Sequence, residues 1–388
     1  MFAPGQSVGP YRLVSLLGQG GSGQVWEATL HGAHGFRKAV ALKLLPGGPD
    51  DLRRAARIRE ARLGALLHHP NWVTTYDLGE RGDTLFIAME LVHGPACASF
   101  VTGLGGLPPR VVLDLGVQAA AALEHIHRLV SDATPHGLVH GDVKPSNLLL
   151  DRTTGLLKIT DLGISSALGE EAAASGTPGY VAPERVKRLP FDGRSDLFGL
   201  GATLCALATG VRPFGTGVAA MAAAFHVEAV LEKGSVLGRV DAAVPGLGEI
   251  VRRCLRAEPS DRWPSAAELG EALGLLATTT YGGEPGLIEW MDALPPEPSN
   301  PGADDDGGTD DDTRPAHAVF VGRGAEVADL CDRLRRGERL VTVVGLGGAG
   351  KTRIAQQVAL TVRDAFPGGG WFVDLTEARH REARAVRG

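Results

Sequence analysis

Residues His140 to Asn147 read His-Gly-Asp-Val-Lys-Pro-Ser-Asn, and Asp161-Leu162-Gly163 follows shortly after. No other feature limits the chain as much. Asp142 offers a carboxylate that can orient a hydroxyl and accept its proton. Asn147 and Asp161 offer oxygen ligands for Mg²⁺ on nucleotide phosphates, and Lys144 offers a cation beside them. Two short segments at this spacing suit phosphoryl transfer from ATP.

Other parts of such a site precede them. Leu17 to Val25 carries a full G-x-G-x-x-G-x-V pattern, with Gly18, Gly20 and Gly23 as its glycines, between strand-like runs Tyr11 to Leu17 and Gln24 to Leu30. Glycines let backbone N–H groups approach an anion with no Cβ in the way. A dinucleotide-binding loop would need a helix straight after the third glycine, whereas Val25 to Leu30 reads as strand. Lys43 ends the apolar run Val40-Ala41-Leu42-Lys43. A lysine there either meets an anion or snorkels from an edge strand. Glu60 lies in Asp51 to Leu67, a segment of helical periodicity, and its offset from Lys43 makes it the natural partner, although most glutamates on such a helix are solvated.

Together these motifs resemble, over residues 10 to about 277, a Ser/Thr protein kinase of the eukaryotic-like type found in bacteria. His68 to Val73 is similar to the family's turn after the glutamate helix, and Phe86 to Val92 to the strand and hinge that hold adenine. Gly176 to Glu184 is similar to the substrate-docking end of the activation segment, and Ser195 to Gly201 to the start of the central helix. The resemblance implies that Asp142 is the catalytic base, that Lys144 steadies the transferring phosphate, and that Asn147 and Asp161 bind Mg²⁺. It also implies that Lys43 holds the ATP phosphates and pairs with Glu60. Leu17, Val25, Ala41 and Leu149 would sandwich adenine, with the backbone of Glu90 and Val92 on its edge. Asp196 would hold the catalytic-loop backbone, and Glu184 would pair with Arg262. Lys144, two residues after Asp142, favours Ser/Thr over Tyr as acceptor.

Two positions depart from the family. Gly141 stands where an arginine is common, which puts control by an activation-loop phosphate in question but not activity. Leu162 stands where phenylalanine is usual and still fills an apolar slot. The available loop hydroxyls are Ser165, Ser166, Ser175 and Thr177.

The chain has 388 residues, long enough for two domains. A net charge of −6 gives no hint of nucleic-acid binding. Cys97, Cys205, Cys254 and Cys331 are scattered without C-x-x-C spacing, so neither zinc nor a disulfide framework is indicated, in keeping with a reducing compartment. No secretory signal is visible, and the most apolar stretch, around Leu197 to Val211, is too short to span a bilayer. The expectation is a cytoplasmic protein.

Leu294 to Arg314 holds clustered prolines and two aspartate triplets, the composition of a disordered linker. The alternating ligands and closing glutamate of a Ca²⁺ loop are absent. Beyond it, Arg339 to Val344 reads as a buried strand that enters Gly345-Leu346-Gly347-Gly348-Ala349-Gly350-Lys351-Thr352 and then a helix-like segment, Arg353 to Asp364. This is a G-x-x-x-x-G-K-T phosphate loop in its proper setting: Gly345 and Gly350 shape the turn, Lys351 reaches phosphates and Thr352 a Mg²⁺. With Phe320 to Arg323 before it, the segment resembles signal-transduction ATPases with numerous domains (the STAND class). About 70 residues are too few for a complete core of that kind, so weak nucleotide binding without hydrolysis is expected.

The expected architecture is α+β. A bilobal kinase fold spans residues 10–277, with a β-rich small lobe and a helical large lobe. A Pro/Asp-rich linker follows at 278–317, then an incomplete α/β P-loop segment at 318–388. The expected function is Ser/Thr protein phosphorylation in bacterial signalling with ATP and Mg²⁺, acting on protein substrates, with no nucleic acid and no membrane span. A homodimer would serve autophosphorylation. A pseudokinase that senses nucleotide within a larger ATPase signalling protein is the alternative.

Overall fold

The computed structural model describes residues 2–20, 23–45, 51–101, 106–130, 137–162, 176–215, 220, 222–223, 225–233, 236–294, 324–336 and 358. Contacts divide the chain into two compact units, Met1–Ser299 and Asn300–Gly388.

The first unit opens with a six-stranded antiparallel sheet: β1 (Ser7–Val8), β2 (Tyr11–Gly20), β3 (Gly23–His31), β4 (Arg37–Leu45), β5 (Thr75–Arg81) and β6 (Thr84–Met89), in the order β1-β2-β3-β4-β6-β5. Strand alternation sorts the residues of β4 and β6. Val40, Leu42, Leu44, Phe86 and Ala88 pack with Trp26 and Leu13 on one face. Leu45, Leu85 and Ile87 pack on the other, against Ala61 of helix α1 (Asp51–Gly64). Lys43 shares the parity of Leu45, so the sheet directs it to the helix side. The strands run further into the glycine-rich loop than expected. The β2–β3 ladder passes two irregularities and continues to Gly20↔Gly23, because both strands keep paired backbone past Leu17 and Gln24.

The large lobe is built on α2 (Ala98–Val101), α3 (Pro109–His127), the hairpin β7 (Leu148–Asp151) and β8 (Leu156–Ile159), α4 (Pro183–Val186) and α5 (Arg194–Thr209). Further helices follow at Val227–Lys233, Val236–Ala243, Leu247–Cys254, Ala266–Thr279 and Leu287–Asp292. Pro109 opens α3, where a missing N–H costs nothing. Ser195 to Ala208 of α5 are all buried, so α5 is the central helix that a segment apolar on every side must become. Gly210 closes it at φ 71, the left-handed turn that glycine adopts without strain. Gly201 lets α5 meet the Leu247–Cys254 helix: a Cβ there would stand 2.5 Å from Cys254 Cβ.

The turn after α1 is latched to the large lobe. Val73 N–H donates to Ile159 O (2.9 Å), Ile159 N–H to Asn71 O (2.8 Å) and Trp72 Nε1 to Ala122 O (2.9 Å). Residues 281–294, placed by composition in the Pro/Asp-rich stretch, remain part of the packed unit. Tyr281, Leu287 and Met291 are buried, and Trp290 sits edge-on to Phe100 at 5.2 Å. Gly282-Gly283 and Pro285 hide the helical spacing of Leu287 and Met291 from a reading by composition.

In the second unit the helix Gly324–Arg335 buries Cys331 against Val358, with Leu330 and Leu334 beside them. Gly345, Gly350, Lys351 and Thr352 lie outside the described residues, as do Ser165, Ser166 and Ser175. No described helix is long and apolar enough to cross a membrane.

Candidate active site

Two clusters face the cleft between the lobes. The first centres on Lys43. Its Nζ lies 2.7 Å from Asp161 Oδ1 and 3.6 Å from Glu60 Oε1, so β4, α1 and the strand end after β8 converge on one cation. Lys43 is buried. Burial alone would strip its charge, but the carboxylates of Asp161 and Glu60 outweigh that and raise its pKa. The pKa of Glu60 is raised as well, first by burial and further by Asp161, against the pull of Lys43. Asp161 takes a left-handed backbone (φ 58), a conformation aspartate tolerates better than most residues. Leu162, next to it, joins the large-lobe core at 6% exposure, so leucine fills the apolar slot.

The second cluster centres on Asp142. Lys144 Nζ donates to Asp142 Oδ2 (2.5 Å) and to Thr177 Oγ1 (2.5 Å). Thr177 N–H donates to Asp142 Oδ1 (2.9 Å). Asn147 Nδ2 donates to Asp142 O (2.9 Å) and reaches Asp142 Oδ2 at 3.3 Å. Thr160 N–H donates to Asn147 O (3.0 Å), which sets the backbone leading to Asp161 beside this loop. Four of the residues picked out by sequence (Asp142, Lys144, Asn147 and Thr177) are therefore one hydrogen-bonded group.

Asp196 on α5 holds the loop from below. Its Oδ2 accepts from His140 N–H and its Oδ1 from Gly141 N–H, both at 2.8 Å, and His127 Nε2 is 2.9 Å from Oδ2. Burial pushes the Asp196 carboxyl up, but His127, His140 and the Gly141 N–H more than offset this and lower its pKa. Burial lowers that of His140 despite nearby carboxylates. Arg262 and Glu184 form a two-pronged pair at 2.7 and 2.7 Å, and Ser195 Oγ donates to the same carboxylate at 2.6 Å. Arg262 also donates to Arg256 O, Ala257 O and Arg194 O, so this buried charge is well satisfied.

The positions expected to enclose adenine lie on β2, β3, β4 and β7. Val25 is in register with Lys43 and Ala41 with Met89, while Leu149 bridges Ala96 and Leu17 is 51% exposed. A Cβ on Gly18 would meet nothing within 4 Å, whereas on Gly23 (φ +134) it would strike Leu44 O at 2.1 Å. Glu90 N–H donates to Thr74 O (2.8 Å). Lys43, Glu60 and Asp161 line one cavity, together with the apolar Leu67, Ile87, Met89 and Leu162.

Sequence reasoning missed three residues. Lys158 is buried and pairs with Glu90 Oε1 at 2.6 Å, tying the hinge to β8. The rule that singled out Lys43, a lysine within an apolar strand, applies equally to Leu156-Leu157-Lys158-Ile159. His127 and Arg185 carry no comparable local signal.

The donor set fits a hard cation. Among the described residues no group of three or more His, Cys, Asp or Glu forms a metal cage. Asn147 and Asp161 supply two oxygen-bearing side chains, which suits Mg²⁺ completed by nucleotide phosphates and water.

A family model described as the protein kinase domain matches residues 11–272. Relatives include a probable serine/threonine-protein kinase of Clostridium perfringens, 30% identical across 67% of this chain and 37% of its own length. The serine/threonine-protein kinase PkaA of Streptomyces coelicolor is 34% identical across 69% of this chain and 50% of its own length. This chain thus spans half or less of either relative. The solved PknI kinase domain of Mycobacterium tuberculosis matches with TM-score 0.53 and 27% identity, over 71% of this chain and 99% of that domain.

Proposed function

The chain belongs to the protein kinase family, and from that premise we propose that it transfers the γ-phosphate of ATP to Ser/Thr hydroxyls of proteins in bacterial signalling. The observation that supports this best is the Asp142–Lys144–Asn147–Thr177 group, with Asp161 in the ion cluster of Lys43 and Glu60.

In this reading the acceptor hydroxyl enters where Thr177 meets Asp142 and Lys144. Asp142 orients it and takes its proton as the oxygen attacks the γ-phosphorus in line, while the bond from that phosphorus to the β,γ-bridging oxygen breaks and ADP leaves. Lys144 stays near the transferring group and offsets its charge. Lys43 moves from Asp161 towards the α/β-phosphates, held by Glu60, and Asp161 is released for the cation together with Asn147. Mg²⁺, when bound, neutralises the phosphate oxygens. Leu17, Val25, Ala41 and Leu149 enclose adenine. The N–H of Glu90 is engaged with Thr74, so its carbonyl and the backbone of Val92 address the purine edge.

Protein substrates, a cytoplasmic setting, self-pairing for autophosphorylation and the absence of a nucleic-acid partner complete the proposal. We assign residues 318–388 to a STAND-like P-loop segment on its sequence pattern alone. Lys351→Ala should then lower the number of bound ATP analogues per chain from two to one without altering protein phosphorylation.

The kinase reading is tested by incubating the chain with labelled ATP, Mg²⁺ and a basic protein acceptor. Acid-stable label on serine and threonine, lost when Mg²⁺ is chelated, is expected. ATP binding without transfer would instead support a nucleotide-sensing module. Lys43→Met should lower kcat by at least about 10²-fold, since it removes phosphate positioning. Unchanged turnover would contradict the role given to Lys43.

A further inference from the structure

The helix Leu287–Asp292 has only six residues, too few to persist alone in water. Its neighbours hold it. Glu289 reaches back to accept the Gly286 N–H (2.7 Å), and Asp114 Oδ2 of α3 accepts the Leu287 N–H (3.0 Å). Arg110 fixes that carboxylate. Its Nε donates to Asp114 Oδ1 (2.8 Å), and its Nη1 donates to Tyr281 O (3.2 Å) at the start of the same segment. Leu287 and Met291 are buried beneath the helix.

Two other side chains of this helix touch the elements that carry the adenine side of the cleft. The Trp290 ring stands edge-on to Phe100 of α2, with centroids 5.2 Å apart. Ile288 lies over the β7–β8 turn, where a Cβ on Gly155 would come within 2.7 Å of its Cγ1. α2 follows directly on residues 93–97, which run beside β7. Arg152 N–H donates to His93 O (2.9 Å), Leu150 N–H to Pro95 O (3.0 Å) and Cys97 N–H to Leu148 O (2.7 Å). Ala96 is bridged to Leu149 within that ladder. Trp290 and Ile288 therefore sit on the two sides of the seam from which Leu149 would meet adenine. The ease of local opening is set by the contacts that span the parts that open, and here one helix spans both.

We propose that Trp290 and Ile288 are positioning residues of the nucleotide site. The Leu287–Asp292 helix clamps α2 to the β7–β8 hairpin and so sets the affinity for ATP. This rests on the kinase reading above. The Asp142 group is held instead by Asp196 on α5 and by Thr177, so the clamp acts on nucleotide binding and leaves the transfer step alone.

The test uses the full chain with Trp290→Ala, Trp290→Phe and Ile288→Ser. Leu276→Ala is the control, because it loosens the same lobe beside Gly246 rather than at the seam. Each is assayed with labelled ATP, Mg²⁺ and a basic protein acceptor well below its melt, and backbone amide exchange is followed in parallel. Trp290→Ala should raise KM for ATP about threefold or more with kcat within about twofold, and Trp290→Phe should recover most of the change. Ile288→Ser should shift KM the same way. Its side chain is 57% exposed, so this substitution leaves the core intact. The amides of Cys97, Leu150 and Arg152 should exchange faster in Trp290→Ala. Leu276→Ala should lower the melt and leave KM and those amides at parent values.

A parent KM in both Trp290→Ala and Ile288→Ser would overturn the inference. So would an equal rise in Leu276→Ala, or unchanged exchange at the three amides. If Trp290→Ala does not fold, Ile288→Ser decides by the same readouts. A parent that transfers no phosphate contradicts the kinase reading. The amides then still decide whether the clamp exists: faster exchange supports it and unchanged exchange overturns it.

Discussion

At the scale of single residues, the site depends on charges taken out of water and satisfied there. Arg262 is the largest such case, with Glu184, Ser195 and three carbonyls around it. Removing one partner of a buried pair strands the other, at a cost of roughly 3–5 kcal/mol. Arg262→Ala should therefore lower the thermal midpoint strongly, and a melt within a degree of the parent would contradict this. Glu184 and Asp196 both have pKa values held below the usual carboxylate range, by Arg262 and by His127 respectively, against burial. A lowered folded value gives stability that is complete above the unfolded pKa of about 4 and is lost as pH falls through the folded value. Melts should fall on acidification below about pH 4, and Glu184→Gln should flatten that limb. Parallel limbs would contradict the assignment. Asp142, Asn147 and Asp161 were legible in the sequence because their chemistry demands particular residue types at short spacing. The link from Arg185 to Gly141 was not, since it joins residues 44 positions apart through a backbone carbonyl.

At the scale of elements, alternation in β4 explains why Lys43 meets α1 rather than water, and this much could be read from Val40-Ala41-Leu42-Lys43. The reach of β2 and β3 to Gly20 and Gly23 could not, since glycines at a strand end look like a loop. The Lys158–Glu90 pair joins the hinge to β8 across the lobe boundary. Lys158→Met should raise KM for ATP a few-fold with little change in kcat. An unchanged KM would show that Glu90 is held by Thr74 alone. Close packing of α5 sets a harder limit. Gly201→Val would drive a side chain into Cys254 and force the two helices apart, costing about 1–3 kcal/mol. A melt equal to the parent's would mean that this approach is looser than the 2.5 Å spacing implies.

At the scale of the whole molecule, the helical lobe carries the catalytic loop and the sheet lobe carries Lys43, so the site exists only where the two meet. The order of motifs along the chain makes that two-lobed division readable, because the glycine-rich loop and Lys43 precede the hinge and Asp142 follows it. The packed extension through Leu294 is obscured by the glycines and proline before it. Phosphate transfer from ATP, with Asp142 as the base, is the point on which the whole assignment turns. Labelled ATP with Mg²⁺ and a basic protein acceptor should be given to the parent chain and to Asp142→Asn side by side, with nucleotide binding measured on both. Label on serine and threonine with the parent, reduced at least about 10²-fold in the variant while ATP still binds, is the predicted result. Equal label with both, or none with a parent that binds ATP and Mg²⁺, would contradict the assignment of Asp142 as the base of a working kinase.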